Sequence, residues 1–119
     1  MSAWHALVPS HDVPVGGIVA SVFGEEDIVV WRDRNGVAHV SEARCPHNWS
    51  HLAGVGEVQG CELVCTTHFW RFTVDGVGVR RLSDGTEEPM RDLRVFPVRE
   101  HDGWVETTEP AATCSRRTD

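Results

Sequence analysis

Two short patterns of cysteine and histidine constrain the fold of this chain more than any other feature. They are Cys45-Pro46-His47 and Cys65-Thr66-Thr67-His68, with the 17 residues 48–64 between them. Each pattern pairs one thiol with one imidazole, and both side chains are common ligands of transition metals. A fold that uses both patterns must bring two separate loops together, so the loops need a rigid scaffold.

The ligand types leave three interpretations open. Two thiolates on one iron and two imidazoles on the other are the ligand set of a Rieske [2Fe–2S] centre. Zinc is the main competing metal, although common zinc sites with two cysteines and two histidines place cysteine near cysteine and histidine near histidine. The third interpretation is a set of scattered thiols and imidazoles that binds no metal.

Composition narrows the class of protein. A length of 119 residues suits one small domain, and a bound metal centre would help to stabilise its modest core. The formal net charge of −7 argues against nucleic acid as a partner, because phosphate binding requires a basic surface. The chain shows no secretory signal at its start and no apolar run near the roughly 20 residues of a membrane span. We therefore expect a cytoplasmic protein whose thiols stay reduced.

Short β-branched runs separated by turn residues predict an all-β fold, a small antiparallel β-sandwich. Asn35-Gly36 predicts a type I′ turn between two of these runs. The predicted strands cover residues 17–23, 27–32, 37–41, 62–64, 71–74, 93–99 and 104–107. We expect one domain over residues 1–108, whose cluster-binding part, about residues 43–90, is formed by the two Cys/His loops, and a flexible tail over residues 109–119.

Residues 45–72 resemble the C-x-H…C-x-x-H signature of Rieske proteins, and the similarity extends from Trp4 to about Glu106. Within that family the chain most resembles the stand-alone Rieske ferredoxins of bacterial aromatic-ring-hydroxylating dioxygenase systems. The resemblance implies one [2Fe–2S] cluster per chain. It also implies that Cys45 and Cys65 hold one iron, and that His47 and His68 hold the other through Nδ1.

The resemblance also bears on the redox potential. High-potential respiratory Rieske proteins have two hydroxyl donors, a Ser and a Tyr, where this chain has Trp70 and Phe72. They also join their two loops by a disulfide, and the equivalent positions here are Ser50 and Thr67. Fewer donors stabilise the added electron less, so we expect a low potential of roughly −150 mV.

Several neighbours of the proposed ligands have predicted roles. Trp70 is expected to shield the cluster from water, and Leu52 to cap it. Trp49 and Phe69 are candidates for exposed aromatic anchors of a redox partner. Pro89 resembles a proline of a third loop that covers the cluster in this family.

The remaining histidines and cysteines have mostly structural interpretations. His51 is an alternative ligand to His47 because it lies four residues further along. Cys61 is expected to be a small buried hydrophobic residue, and Cys114 a free thiol in the tail. The other histidines, at positions 5, 11, 39 and 101, are expected to be ordinary surface or strand residues.

By resemblance, the chain is a monomeric one-electron carrier. The implied donor is an NAD(P)H-dependent ferredoxin reductase, and the implied acceptor is a terminal oxygenase. The chain has no G-x-G-x-x-G pattern for a dinucleotide and is too short for a further domain with mononuclear iron, so we expect no enzymatic activity of its own. The alternatives are a small Rieske subunit of a nitrite-reductase-like complex and a zinc-stabilised interaction module.

Overall fold

The computed structural model describes residues 3–46 and 49–109, and antiparallel β-strands dominate these ranges. In chain order the strands are β1 (His5–Pro9), β2 (Ile18–Phe23), β3 (Glu26–Arg32), β4 (Ala38–Glu42), β5 (Gly56–Gln59), β6 (Glu62–Cys65), β7 (Trp70–Phe72), β8 (Gly78–Arg81), β9 (Glu87–Met90), β10 (Val95–Phe96), β11 (Val98–His101) and β12 (Trp104–Thr107). The predicted all-β class is confirmed.

The one α-helix of the described ranges is α1 (Leu52–Val55), which has only four residues. No helix in this part of the chain is therefore long enough to cross a membrane. His47 and Cys114 lie outside the described residues, as does the predicted tail from residue 110 onward.

The strands form three antiparallel sheets. Their orders are β1-β12-β11, β10-β4-β3-β2 and β5-β6-β7-β8-β9. The five-stranded sheet follows the order of the chain, so hairpins connect its strands. Residues 66–69 and the turn of residues 82–86 leave this sheet at one end of its strands, whereas the turns at residues 60–61 and 73–77 leave it at the opposite end.

Two buried clusters of side chains hold the sheets together, and β3 contributes to both. Val29 and Trp31 of β3 belong to the first cluster, and Ile28 and Val30 belong to the second. This alternation shows that β3 is buried on both faces, because successive side chains of a strand point to opposite faces. The other members of the first cluster are Ala43, Cys45, Leu52, Leu63, Cys65, Phe72 and Leu93. Both cysteines of the two sequence patterns therefore lie in the same part of the core.

The hairpin at Asn35-Gly36 forms, but the predicted type I′ turn is wrong. That turn needs a positive φ at both residues, and only Gly36 has one, at +85°. Asp33 closes a longer turn instead: its backbone N–H donates to the carbonyl oxygen of Val37 at 3.0 Å. Its carboxylate Oδ1 also accepts from the N–H groups of Asn35 and Val37. A carboxylate at the start of the turn thus replaces the left-handed asparagine that the dipeptide predicts.

The single strand predicted over residues 93–99 is wrong. Pro97 divides it, so that β10 pairs with β4 and β11 pairs with β12 in a different sheet. Proline interrupts a ladder because it has no N–H to donate.

The predicted last hairpin is confirmed between β11 and β12, and its two turn residues, Asp102 and Gly103, have φ values of +54° and +82°.

Candidate metal centre

The second Cys/His pattern lies in a tight connection between β6 and β7, called loop 2 (residues 65–70). Cys65 ends β6 and pairs with Trp70, the first residue of β7. The backbone N–H of Phe69 donates to the carbonyl oxygen of Cys65 at 2.7 Å. His68 lies between these fixed ends and is exposed.

The first pattern lies in a matching loop of the same length, called loop 1 (residues 45–50). The N–H of Cys45 donates to the carbonyl oxygen of Ser50 at 2.9 Å, and the N–H of Trp49 donates to the carbonyl oxygen of Cys45 at 2.8 Å. A β-bridge between Arg44 and His51 continues the pairing beyond the loop. In both loops, therefore, the fifth residue closes a hydrogen bond onto the carbonyl of the cysteine at the start.

The residues that close the two loops share an uncommon backbone conformation. Trp49 has φ +65° and Phe69 has φ +63°. Residues other than glycine, asparagine and aspartate seldom adopt this left-handed region, because Cβ approaches the following carbonyl oxygen. Residue-type propensity favours glycine at such positions, so the sequence offered no direct signal of this conformation.

The two cysteines and the described histidine differ sharply in exposure. Cys45 and Cys65 are both 0% exposed and pack among apolar side chains. None of the described cysteines forms a disulfide. His68, by contrast, is exposed. The arrangement puts thiol donors on the core side of the loops and an imidazole on the solvent side.

Hydrogen bonds attach the segment between the two loops at both of its ends. The N–H of Leu52, which is 0% exposed, donates to the carbonyl oxygen of Ala43 at 2.7 Å. At the other end of α1, both the N–H and the hydroxyl of Thr66 donate to the carbonyl oxygen of Val55, at 2.9 and 2.6 Å. Helix α1 thus fixes loop 2 relative to the end of loop 1.

The other residues singled out from the sequence take varied positions. Trp70 is partly buried and packs against the cluster that contains both cysteines. His51 caps α1, because its Nδ1 accepts from the N–H of Ala53 at 3.1 Å. Pro89, expected in a covering loop, lies instead in β9, an exposed edge strand where it pairs with Val79. An edge strand tolerates the missing N–H of proline, so the loop assignment of Pro89 is wrong.

Cys61 is not the buried residue predicted from the sequence. It is partly exposed in the turn between β5 and β6, and the side-chain amide of Asn35 donates to its sulfur at 3.4 Å. The N–H of Arg34 also donates to the carbonyl oxygen of Gly60 at 3.0 Å. Cys61 therefore lies where the β3–β4 turn meets the β5–β6 turn, at the end of β6 opposite Cys65.

Arg71 is a supporting residue that the sequence patterns did not reveal. Its Nε donates to Glu62 at 2.8 Å and its Nη2 donates to Gln59 at 3.0 Å. The three residues belong to β7, β6 and β5, so the side chain ties together the strands that carry loop 2. In the sequence, only the alternation of side chains along neighbouring strands could have indicated these contacts of Arg71.

An acidic cleft of about 330 Å³ lies beside loop 1. Trp49 forms one wall, and Arg44 lines the cleft while its guanidinium donates to the carbonyl oxygen of Trp49 at 3.1 Å. The remaining lining residues are Glu25, Glu26, Asp27, Glu42 and Ala43. Negative charge therefore lies next to one of the two aromatic residues that close the loops.

The donors present fit an iron–sulfur cluster chemically. Two thiols shielded from water at matched positions suit one iron, and an exposed imidazole, with His47 in the other loop, suits a second. Among the described residues no three Cys, His, Asp or Glu side chains come together as ligands of a single ion.

The chain belongs to the Rieske [2Fe–2S] domain family, whose model matches residues 3–96. A Rieske-type [2Fe–2S] cluster is the cofactor of this family, and the cofactor expected from the sequence is confirmed. A domain of this kind is an electron-transfer module.

The curated relatives include larger oxygenases. The chain is 38% identical over 97 residues to the 4beta-methylsterol monooxygenase of Methylococcus capsulatus, covering 75% of this chain and 26% of that protein. It is 32% identical over 108 residues to the 3-chlorobenzoate-3,4-dioxygenase oxygenase subunit of Comamonas testosteroni, covering 86% of this chain and 25% of that protein. The chain thus spans about a quarter of the length of these relatives.

A solved structure supports the same architecture. The terminal oxygenase of carbazole 1,9a-dioxygenase from Novosphingobium sp. KA1 matches with a TM-score of 0.79 and 26% identity, covering 92% of this chain and 30% of that one.

Proposed function

We propose that Cys45 and Cys65 hold one iron of the Rieske cluster, that His47 and His68 hold the other, and that the chain works as a one-electron carrier. The observation that carries this proposal is the pair of fully buried thiols at equivalent positions of two matched loops. When bound, the cluster supplies reversible one-electron chemistry.

Some residues around the loops exclude water from the two thiols, and others are exposed where a partner can reach them. Leu52, Leu63 and Phe72, all 0% exposed, pack in the same cluster as the two thiols and exclude water from them. His68 and its neighbour Phe69 are exposed at the end of the five-stranded sheet. Electrons therefore enter and leave at this end, where the distance to a partner is shortest.

We further propose that the chain acts as a monomer in the cytoplasm between two proteins. An NAD(P)H-dependent ferredoxin reductase donates the electron, and a terminal aromatic-ring oxygenase accepts it. Support comes from the relatives named as oxygenases and from the fold shared with a carbazole 1,9a-dioxygenase component. The net charge of −7 suits brief docking on basic surfaces.

A second candidate is the Rieske domain of a terminal oxygenase, in which the electron would pass within one assembly. The 38% identity to a monooxygenase four times the length of the matched region favours this candidate specifically. The two candidates share the cluster and its ligands, and they differ only in whether the electron acceptor is a separate protein.

The ligand assignment is tested by single substitutions in the purified protein. Cys45→Ala and His68→Ala should abolish the visible absorption and the EPR signal of the reduced cluster, together with bound iron and acid-labile sulfide. Cys61→Ala and His51→Ala are matched controls, because they remove the same side chains outside the proposed ligand set, and they should retain the cluster. A cluster that survives Cys45→Ala would refute the assignment.

The carrier role is tested by mixing the chain with a flavin-dependent ferredoxin reductase, NADH and a separate aromatic-ring oxygenase. Substrate oxidation that requires the chain, and saturates with its concentration, supports the carrier. Reduction of the chain without transfer to any separate oxygenase would contradict the carrier role and favour the second candidate.

A further inference from the structure

Two aromatic side chains project into solvent from equivalent positions of the two loops. Trp49 is 66% exposed and Phe69 is 59% exposed, and they are the most exposed aromatic residues of the described chain. Each follows closely after a proposed histidine ligand, two residues after His47 and one after His68. A large apolar side chain left in water forgoes the stabilisation that burial would give.

The backbone at these positions makes the choice of residue more unusual. Each aromatic has a φ near +65°, a left-handed conformation that strains a residue with a Cβ and leaves glycine unstrained. Only the backbone N–H of each residue closes its loop, and glycine has the same N–H. The closure of the loops therefore does not account for either aromatic side chain.

The surface beside Trp49 indicates the chemistry of that contact. In the acidic cleft, Glu26 forms an ion pair with Arg94. Glu25 and Asp27 are exposed and form no ion pair with a described residue. Arg44 also lines the cleft, but its single positive charge faces the carboxylates of Glu25, Asp27 and Glu42 in addition to the paired Glu26. A partner that seats Trp49 therefore meets a net negative charge next to it, and arginine or lysine complements that charge.

The surface beside Phe69 is different. The turn of residues 82–86 connects β8, the neighbour of β7, to β9, and it leaves the five-stranded sheet at the same end as loop 2. Leu82 in this turn is 37% exposed. This end of the molecule thus carries the acidic cleft on the side of loop 1, and Leu82 with the single carboxylate of Asp84 on the side of loop 2. The two sides therefore offer a partner different surfaces.

We propose that Trp49 and Phe69 are twin anchors for the redox partner, which offers apolar surface to both and cationic side chains to the cleft beside Trp49. This inference rests on the proposed carrier function and names the surface that the function uses. Buried aromatic anchors commonly dominate the free energy of small interfaces, and flanking charge mainly speeds association. A second copy of this chain is a poor occupant, because two acidic clefts repel each other.

The test removes the side chains while keeping the backbone unstrained. Trp49→Gly and Phe69→Gly should leave the visible spectrum unchanged and the midpoint of unfolding equal or higher, because glycine relieves the positive φ. The second-order rate constant for reduction by the reductase, or for oxidation by the oxygenase, should fall about tenfold for each variant. Trp49→Asn and Phe69→Asn give a second pair, because asparagine also tolerates this conformation.

The matched control is Trp104→Thr, which removes a 42% exposed aromatic from β12 in another sheet and should leave the rate constant unchanged. Unchanged rate constants in both glycine variants, with a wild-type chain that does transfer electrons, would overturn the inference alone. A wild-type chain that transfers electrons to neither partner would refute the proposed function itself. A loss of self-association in the glycine variants, measured by size-exclusion chromatography, would assign the anchors to a second copy and also overturn the inference.

The charge component has its own control. Glu25→Gln with Asp27→Asn should lower the rate constant at low salt and flatten its dependence on ionic strength. Asp102→Asn with Glu57→Gln makes the same change in net charge at two exposed carboxylates that do not line the cleft, one in the β11–β12 turn and one in β5. An equal effect of both pairs would show that only the total charge matters, and this would overturn the role of the cleft.

Discussion

Arg32 is the side chain whose loss should destabilise the fold most without touching the metal centre. Its side chain is 11% exposed, and its guanidinium joins residues 10–13 to the β3–β4 turn and to β11. Its donors bond to the carbonyl oxygens of Val13 at 2.6 Å, Gly36 at 2.9 Å and Ser10 at 3.1 Å, and to both carboxylate oxygens of Glu100 at 2.8 and 3.1 Å. One side chain of β3 therefore binds three other segments of the chain.

The expected cost of Arg32→Met follows from these bonds. A hydrogen bond from a charged donor contributes about 1.5–3 kcal/mol, and carbonyl oxygens that water reaches after the substitution recover part of that. Three lost backbone bonds and one lost ion pair then amount to about 3–4 kcal/mol, a large share of the roughly 5–15 kcal/mol that stabilises a domain. Arg32→Lys keeps the charge but lacks the fork of donors, so we expect about half this cost.

Glu100→Gln is the control that separates the ion pair from the backbone bonds. The hydrogen bond from Arg32 lowers the pKa of Glu100, and the same bond raises the pKa of Arg32. The Glu100 side chain is 37% exposed, so the pair itself should be worth at most about 1 kcal/mol.

Urea unfolding followed by circular dichroism measures all three variants, and the visible spectrum under native conditions should match the wild type in each. A cost below about 1 kcal/mol for Arg32→Met would refute the reasoning. So would a Glu100→Gln variant as unstable as Arg32→Met, because the backbone carbonyls would then contribute nothing.

Four further predictions concern other parts of the chain. Burial by itself raises the pKa of Asp33, but hydrogen bonds with His39 and with backbone N–H groups outweigh it, so the pKa is lowered. Asp33 therefore contributes stability above about pH 4, the pKa of an unfolded aspartate, and this contribution is lost as the pH falls through the lowered value; Asp33→Asn should flatten the acid limb of a stability–pH curve. Phe69→Val should destabilise the fold by about 1–2 kcal/mol in urea unfolding, whereas Phe69→Gly should not, because a β-branched residue tolerates a positive φ poorly. Cys61→Ser should change stability by less than about 1 kcal/mol and leave the EPR signal intact, since its sulfur only accepts one bond near the surface. A redox titration should give a potential of roughly −150 mV, and a clearly positive value would contradict the account based on Trp70 and Phe72.

The sequence was sufficient for the fold class and for the location of the two loops, because both depend on local patterns. Alternation and turn residues mark most strands, and the Cys/His spacing marks the loops. The sequence was insufficient where one residue serves two segments. Pro97 separates β10 from β11, which belong to different sheets. Asp33, and not Asn35, forms the hydrogen bonds that close the β3–β4 turn. Neither effect is visible until the partners of each backbone group are known.

The surroundings of the site could also be predicted only in part from the sequence. Burial of Cys45 and Cys65 could be expected from their residue type, but the left-handed backbone at Trp49 and Phe69 could not, since aromatic residues rarely adopt it. The prediction for Cys61 is wrong because a free cysteine usually packs in the core, whereas here Cys61 lies partly exposed in the β5–β6 turn and accepts a hydrogen bond from Asn35.

The matched loops also have a consequence for the speed of electron transfer. In the proposed carrier each added electron would change the charge of the cluster, and a soft environment would respond by moving dipoles and water. Here both sulfurs lie in a packed interior, which has low compressibility, and the flanking peptide groups are already held by the bonds to Ser50 and Trp70. The reorganisation energy on the cysteine side of the site should therefore be small, which favours rapid electron exchange in either direction at a small difference in potential.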